Sequence, residues 1–279
     1  MAVPTVEAEP PESSPGERVP WRRGNYSRAE LARALEGGRI AGLVTSHDRA
    51  NVRWKIRRLV DGEPDLQFGL SGVSGDGDRS VQEVLALVGE AAGFDPDPAL
   101  RREPVPIDPW RVLDSLEAAG RRLALAAARG ERVLLATGHP VGLVLLYVAV
   151  GELLVDHGAK LLRPLEGVHW REGGWRREVR YLHGVAVLNS HGSSLHTHSP
   201  EAMGRMLGEV RPDLVFADHG FAGAAIEAGV ETVSIADIND PALVVAKAQG
   251  RTDVVVVMDD NVRPEDYWPC FQAIASRFP

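Results

Sequence analysis

The chain has 279 residues, 44% of them apolar, and a formal charge of −8 at pH 7, which is enough apolar material for one large domain or two modest ones. The acidic balance argues against a nucleic-acid partner, although a locally positive pocket can still hold an anion. One cysteine, Cys270, excludes an intramolecular disulfide framework and fits a reducing, cytoplasmic setting.

Residues 1–24 are rich in Pro, Glu and Ser and predict a disordered tail. No basic stretch followed by an apolar one opens the chain, so no secretory signal is expected. Residues 25–129 carry helical periodicity. Ser27 caps a helix running to Glu36, Val81, Val84, Leu85 and Val88 share one face, and Leu113, Leu116, Leu123 and Leu125 repeat that pattern within 110–128. A Gly-rich loop at 71–78 and a Pro-rich loop at 95–109 separate these helices.

The character changes near residue 130. A short apolar strand over 133–136 leads into a helix over 142–156, closed by His157-Gly158. The longest apolar run, 141–155, is interrupted by glycine and glutamate and too short to span a bilayer. A second strand covers 159–162. Arms at 168–170 and 175–181 flank Gly173-Gly174, a two-residue hairpin turn, with the second arm continuing through 184–188. Ser199 and Pro200 open the next helix as N-cap and first residue. Strand 214–217, helix 222–228, strand 232–236, helix 241–249, strand 254–258 and a final helix from 265 complete the pattern. Apolar strands alternating with helices predict an α/β fold over 130–279, a Rossmann-like, mostly parallel, three-layer sheet domain. The helical N-terminal region, 25–129, packs against it.

Five strand ends carry polar bursts: Thr137-Gly138-His139-Pro140, Asn189-Ser190-His191-Gly192, Asp218-His219-Gly220, Asp237-Ile238-Asn239-Asp240 and Asp259-Asp260-Asn261. Ligands of open α/β sheets bind outside the carboxyl ends of the strands, so these bursts converge on one pocket. His191, His196 and His198 lie within eight residues, and neutral imidazole is a common ligand for divalent metals; a solvated loop bonded to backbone is the plainer account. Asp218, Asp237 and Asp259 are further candidate metal ligands. Against that, Asp218 can cap a helix, Asp240 with Pro241 can open one, and Asp259 can close an Asx turn. Adjacent carboxylates at 259 and 260 repel, so one is neutral or bound to a cation. The expected cofactor is a divalent cation such as Mg, Mn or Zn.

Thr137 and Gly138 stand at a helix start, where backbone amides attract an anion, and His139 or His219 could protonate a leaving group. Asn189, Asn239 and Asn261 are candidate substrate contacts. The cations Arg53, Lys55, Arg57 and Arg58 could reach an anionic substrate from the helical half, although such a run is more often a solvated helix face. His157, His169 and His183 are assigned to capping or packing. Neither a Walker A loop nor Gly-x-Gly-x-x-Gly nor a Gly-x-Ser-x-Gly elbow is present.

The run ADHGFAGAAIEAGVETVSIADINDPALVVAKAQGR, followed by VVMDDNVRPEDYWP, resembles an actinobacterial family of phosphatases, and ATGHPVG and NSHGSSLHTHSPEAM fit the same family. The resemblance spans roughly residues 25–279 and implies phosphatase activity. The site residues rest on strand-end placement alone. The combined expectation is a metal-assisted phosphomonoester hydrolase acting on a small soluble phosphorylated substrate, with no nucleic-acid or membrane partner and room for a homo-oligomer. A non-catalytic nucleotide- or sugar-phosphate-binding module and a metal-dependent amidohydrolase are the alternatives.

Overall fold

Runs such as Val-Leu-Leu-Ala-Thr and Val-Val-Val-Val-Met have no polar face to offer water, so they are stable only where both sides of a sheet are covered. The computed structural model describes residues 21–43, 46–75, 79–97 and 103–279, and places these runs in one nine-stranded sheet with helices on both faces. The expected tail over 1–20, Thr45, and parts of the loops at 71–78 and 95–109 lie outside the described residues.

Among the described residues five helices precede the sheet: α1 (Arg28–Gly37), α2 (Arg49–Val60), α3 (Pro64–Gln67), α4 (Val81–Ala92) and α5 (Pro109–Ala128). Then come β1 (Arg132–Thr137), α6 (Val144–Asp156), β2 (Lys160–Leu161), β3 (His169–Glu172), β4 (Trp175–Leu182), β5 (Val185–Ser190) and β6 (Ser193–Ser194). The chain continues through α7 (Glu201–Glu209), β7 (Leu214–Asp218), α8 (His219–Glu227), β8 (Thr232–Asp237), α9 (Pro241–Ala248) and β9 (Val254–Met258). After a 3-10 turn at Pro264–Tyr267 it ends in α10 (Trp268–Ala275).

The strand order is β3-β4-β5-β1-β7-β8-β9, with β5, β1, β7, β8 and β9 parallel. From β1 the chain builds to one side as far as β5, then crosses to the other side for β7, β8 and β9. The direction of winding therefore reverses between β1 and β7, and the crevice at their carboxyl ends is where such sheets bind ligands. Ala136 pairs with Ala217, so Thr137 and Asp218 leave the sheet side by side. Helices α5, α6 and α10 pack on one face, α8 and α9 on the other, with α2 and α4 outside α9. Residues 21–24, assigned to the tail by composition, are tied to α10: Trp21 packs on Phe271, and Gln272 donates to the Arg22 carbonyl and accepts from the Gly24 amide. Cys270 is buried in α10.

Two local readings are corrected. The second hairpin arm does not continue through residue 184; the chain reverses at His183 and Gly184, with φ of 46° and 92°, making β4 and β5 separate antiparallel strands. Two left-handed residues suit a two-residue turn, but histidine in the first place conceals the usual Asn-Gly signal. Helix α8 begins at His219, not at Ala222. Among the described residues no helix is long and apolar enough to cross a membrane.

The helical half reaches the carboxyl edge by a close approach. A Cβ on Gly223 of α8 would lie 2.0 Å from the Phe68 carbonyl oxygen, just past α3. Gly223→Ala is expected to force these backbones apart and cost about 1–3 kcal/mol, measured as a lower urea midpoint at unchanged m value.

Candidate functional site

Asp218 ends β7 and is completely buried, so its carboxylate needs donors. Thr137 Oγ1 donates to Oδ2 at 2.6 Å, the Gly138 amide to Oδ1 at 2.6 Å, and His219 Nδ1 meets Oδ1 at 2.9 Å. Burial alone would raise the Asp218 pKa, but His219 and these donors outweigh it and lower it. Both oxygens are thus occupied.

His219 is 3% exposed and left-handed, with φ of 45°, a strained backbone for a residue carrying a Cβ. Its Nε2 lies 3.2 Å from Asp240 Oδ2 and 3.5 Å from Asp260 Oδ2. Burial pulls the imidazole pKa down, yet the bonds and charges of Asp218 and Asp240 push it well above the ordinary value.

The segment after β6 folds over this edge. The Thr197 amide donates to the Gly138 carbonyl at 2.9 Å, and at Gly220 a Cβ would stand 2.1 Å from the His198 carbonyl oxygen. Four imidazoles meet as a result: His196 is 4.7 Å from His139 and 5.1 Å from His219, and His198 is 5.0 Å from His219, between ring centroids. Phe68 packs its edge on His198 and His219. Burial and the neighbouring His219 lower the pKa of His139 and His198, and take His196 down to about 4.

Five buried aspartates converge here: Asp218, Asp237, Asp240, Asp259 and Asp260. Burial and the charge of Asp237 push Asp260 well above the carboxylate range. Burial takes Asp237 to about 6, against the opposing effect of His47. In Asp240 the same burial is overcome by His219, and the pKa falls. Ligand atoms of His196, His198 and His219 lie within 4.8 Å of one another, and so do those of His219, Asp240 and Asp260. Asp260 Oδ2 is buried with no hydrogen-bond partner.

Of the residues singled out in the sequence, Thr137, Gly138, His139, His196, His198, Asp218 and His219 meet in space. His191 stands apart, exposed on the β5–β6 turn with its ring 6.3 Å from Trp175. Asn189 is buried within β5, bonded to the Val187 carbonyl and Ser194 Oγ. Asp237 Oδ2 meets His47 Nε2 at 2.7 Å, and Oδ1 accepts from the Ile238 amide. Asp259 accepts from the Ser46 amide at 2.6 Å and the Asn261 amide at 3.0 Å, the Asx turn. Asn239 bonds Asn51 at 3.0 Å and His47 at 3.1 Å, and Asn261 borders a cavity of about 450 Å³ with Asp259 and Arg39. Arg57 is exposed; Arg58 pairs with Glu63 at 3.0 Å and lies over Trp54.

The site also includes Asp240, Asp260 and His47, to which sequence reasoning assigned no separate role, and Lys55, one of the run of cations it placed at the cleft. Asp240 looked like a cap for α9, yet its side chain makes no capping bond and turns to His219. The available signal was three polar residues where a cap needs one. Lys55 lies one helical turn beyond Asn51 on α2, and its charge acts on His198 and Asp240. His47 precedes the N-cap Asp48; burial opposes its protonation, but Asp237 raises its pKa.

A family model described as Phosphatase matches residues 26–278. A Streptomyces coelicolor protein named Phosphatase SCO2771 is 41% identical over 252 residues, which cover 88% of this chain and 93% of that protein. No solved structure matches.

The Thr137 hydroxyl donates to a buried carboxylate and has a close isostere. Thr137→Val is expected to destabilise the fold by about 1.5–3 kcal/mol, the range for hydrogen bonds to charged groups, as read by urea denaturation.

Proposed function

The chain belongs to the phosphatase family, and from that premise we propose that it hydrolyses a phosphomonoester of a small phosphorylated substrate with the help of one or two divalent cations. His196, His198, His219, Asp240 and Asp260 would hold them. The observation that carries this reading is the pair of donor sets sharing His219 at the β1–β7 crevice. Asp260 Oδ2 is buried there without a hydrogen-bond partner, and clustered buried carboxylates need cations to offset their desolvation. Mixed imidazole and carboxylate donors suit Zn or Mn, and the carboxylates Mg. Bound there, a cation supplies charge to the phosphoryl oxygens and lowers the pKa of a water.

The remaining roles fall to the chain's own groups. Asp218 holds Nδ1 of His219 and aims Nε2 at Asp240 and Asp260, the orienting role of a carboxylate behind a ligating histidine. Because both ring nitrogens of His219 face carboxylates, proton delivery to the leaving alkoxide passes to His139, whose Nε2 is 3.9 Å from Asp260 Oδ1. Lys55 is the cation best placed to meet the phosphate from the helical half. Thr137 and Gly138 position Asp218 and leave substrate contact to these groups.

The test is elemental analysis of the purified protein, with phosphate release from a panel of phosphomonoesters before and after chelation. We expect near-stoichiometric metal, activity lost on its removal and restored on its return, and metal affinity reduced about 10–100-fold in Asp218→Asn. Release that survives complete chelation would sink the metal-assisted reading.

A further inference from the structure

The hairpin of β3 and β4 has no part in the chemistry above, yet it flanks the crevice. Glu178 pairs with Asn189, and Ser190 Oγ donates to the Arg176 carbonyl, so β4 begins level with the end of β5. Glu172, the last residue of β3, accepts from Ser199 Oγ, one residue past His198. The hairpin therefore overhangs the carboxyl edge and is bonded to the segment that carries His196 and His198.

Between this hairpin and the β5–β6 turn lies a groove of about 310 Å³, lined by Arg176, Arg177, Arg180, His169 and His191, with Glu178 as its one carboxylate. Glu178 is engaged by Arg180 at 2.8 Å and His169 at 3.4 Å. Arg177 Nε and Glu172 Oε2 face each other at 3.9 Å, and neither makes a hydrogen bond. Arg176 has no carboxylate partner among the described residues. Trp175, 60% exposed, stands beside His191, its ring 6.3 Å away. Charges that guard a sheet edge belong on its outermost strand, whereas these arginines sit on β4, one strand in. In a chain of net charge −8, a cationic concavity of this kind attracts anions.

Its position relates it to the site. The Leu195 amide returns to the Leu188 carbonyl, so by the same register His196 lies level with Val187, four residues short of His191. At 3.3 Å per residue the groove, from Arg180 opposite Val187 to His191, reaches up to about 13 Å along the strand from the level of His196.

Resting on the phosphomonoesterase reading, we propose that this groove binds a second anionic group of the substrate. The preferred substrate is then a small molecule with a phosphate to be cleaved and another phosphate or carboxylate within about 13 Å of it. Arg176, Arg177 and Arg180 hold the distal group by charge-assisted hydrogen bonds.

The experiment compares the parent with an Arg176→Gln/Arg180→Gln double variant on a hexose 6-phosphate and the matching hexose 1,6-bisphosphate. The expected result is roughly ten-fold lower kcat/KM for the bisphosphate in the variant, with the monophosphate rate unchanged. Equal losses on both substrates, or no loss on either, overturn the proposal. Calorimetric titration with the bisphosphate keeps the groove testable even if no ester is hydrolysed, an outcome that would count against the phosphatase reading alone. There, binding weakened roughly ten-fold in the variant supports the groove and equal binding overturns it. Weakened binding of inorganic pyrophosphate with unchanged bisphosphate kinetics would mean a separate anion site and also overturns it.

Discussion

A fully buried carboxylate is tolerable only when its lone pairs are met, and the site depends on how Asp218 satisfies that constraint. Its donors are a hydroxyl and an amide from the end of β1 and an imidazole from the first residue of α8. The same bonds stitch two neighbouring strand ends together, hold His219 in its left-handed conformation, and decide which nitrogen of that ring faces the crevice. The strain at His219 is retained because these contacts over-determine its position.

The five buried aspartates divide by how the protein answers them. Asp237 and Asp259 are met largely by the helical half and their own turns: His47 and the Ile238 amide for one, the Ser46 and Asn261 amides for the other. Asp240 and Asp260 turn instead to His219, and Asp260 Oδ2 makes no hydrogen bond. These two carboxylates and His219 form one of the two groups of closely spaced ligand atoms in the site, which their satisfied neighbours do not join.

The family match runs from residue 26 to 278, so it includes the helices that bring His47, Asn51, Lys55 and Phe68 to the sheet edge. Those helices share one apolar core with the sheet, which sets their reach into the crevice by packing.

Sequence determined much of this. Apolar runs with no polar face could only be covered strands, and polar residues recurring at their ends could only gather on one edge, because parallel strands put all their carboxyl termini together. Periodicity and punctuation are local properties, and residues such as His139, His196, His198, Asp218 and His219 were visible on that basis. Which aspartate of each burst faces the imidazoles was not visible, since a cap, a turn and a ligand ask for the same residue at the same place. Tertiary structure decided that, through partners far away in the chain: His47 on Asp237 across 190 residues, Ser46 on Asp259 across 213. It also separated His191 from His196 and His198, because a hairpin with left-handed residues at 191 and 192 sends the first histidine outward to Trp175 and brings the other two back over the edge. Such pairings are fixed by packing between distant elements, and no local pattern of residues encodes them.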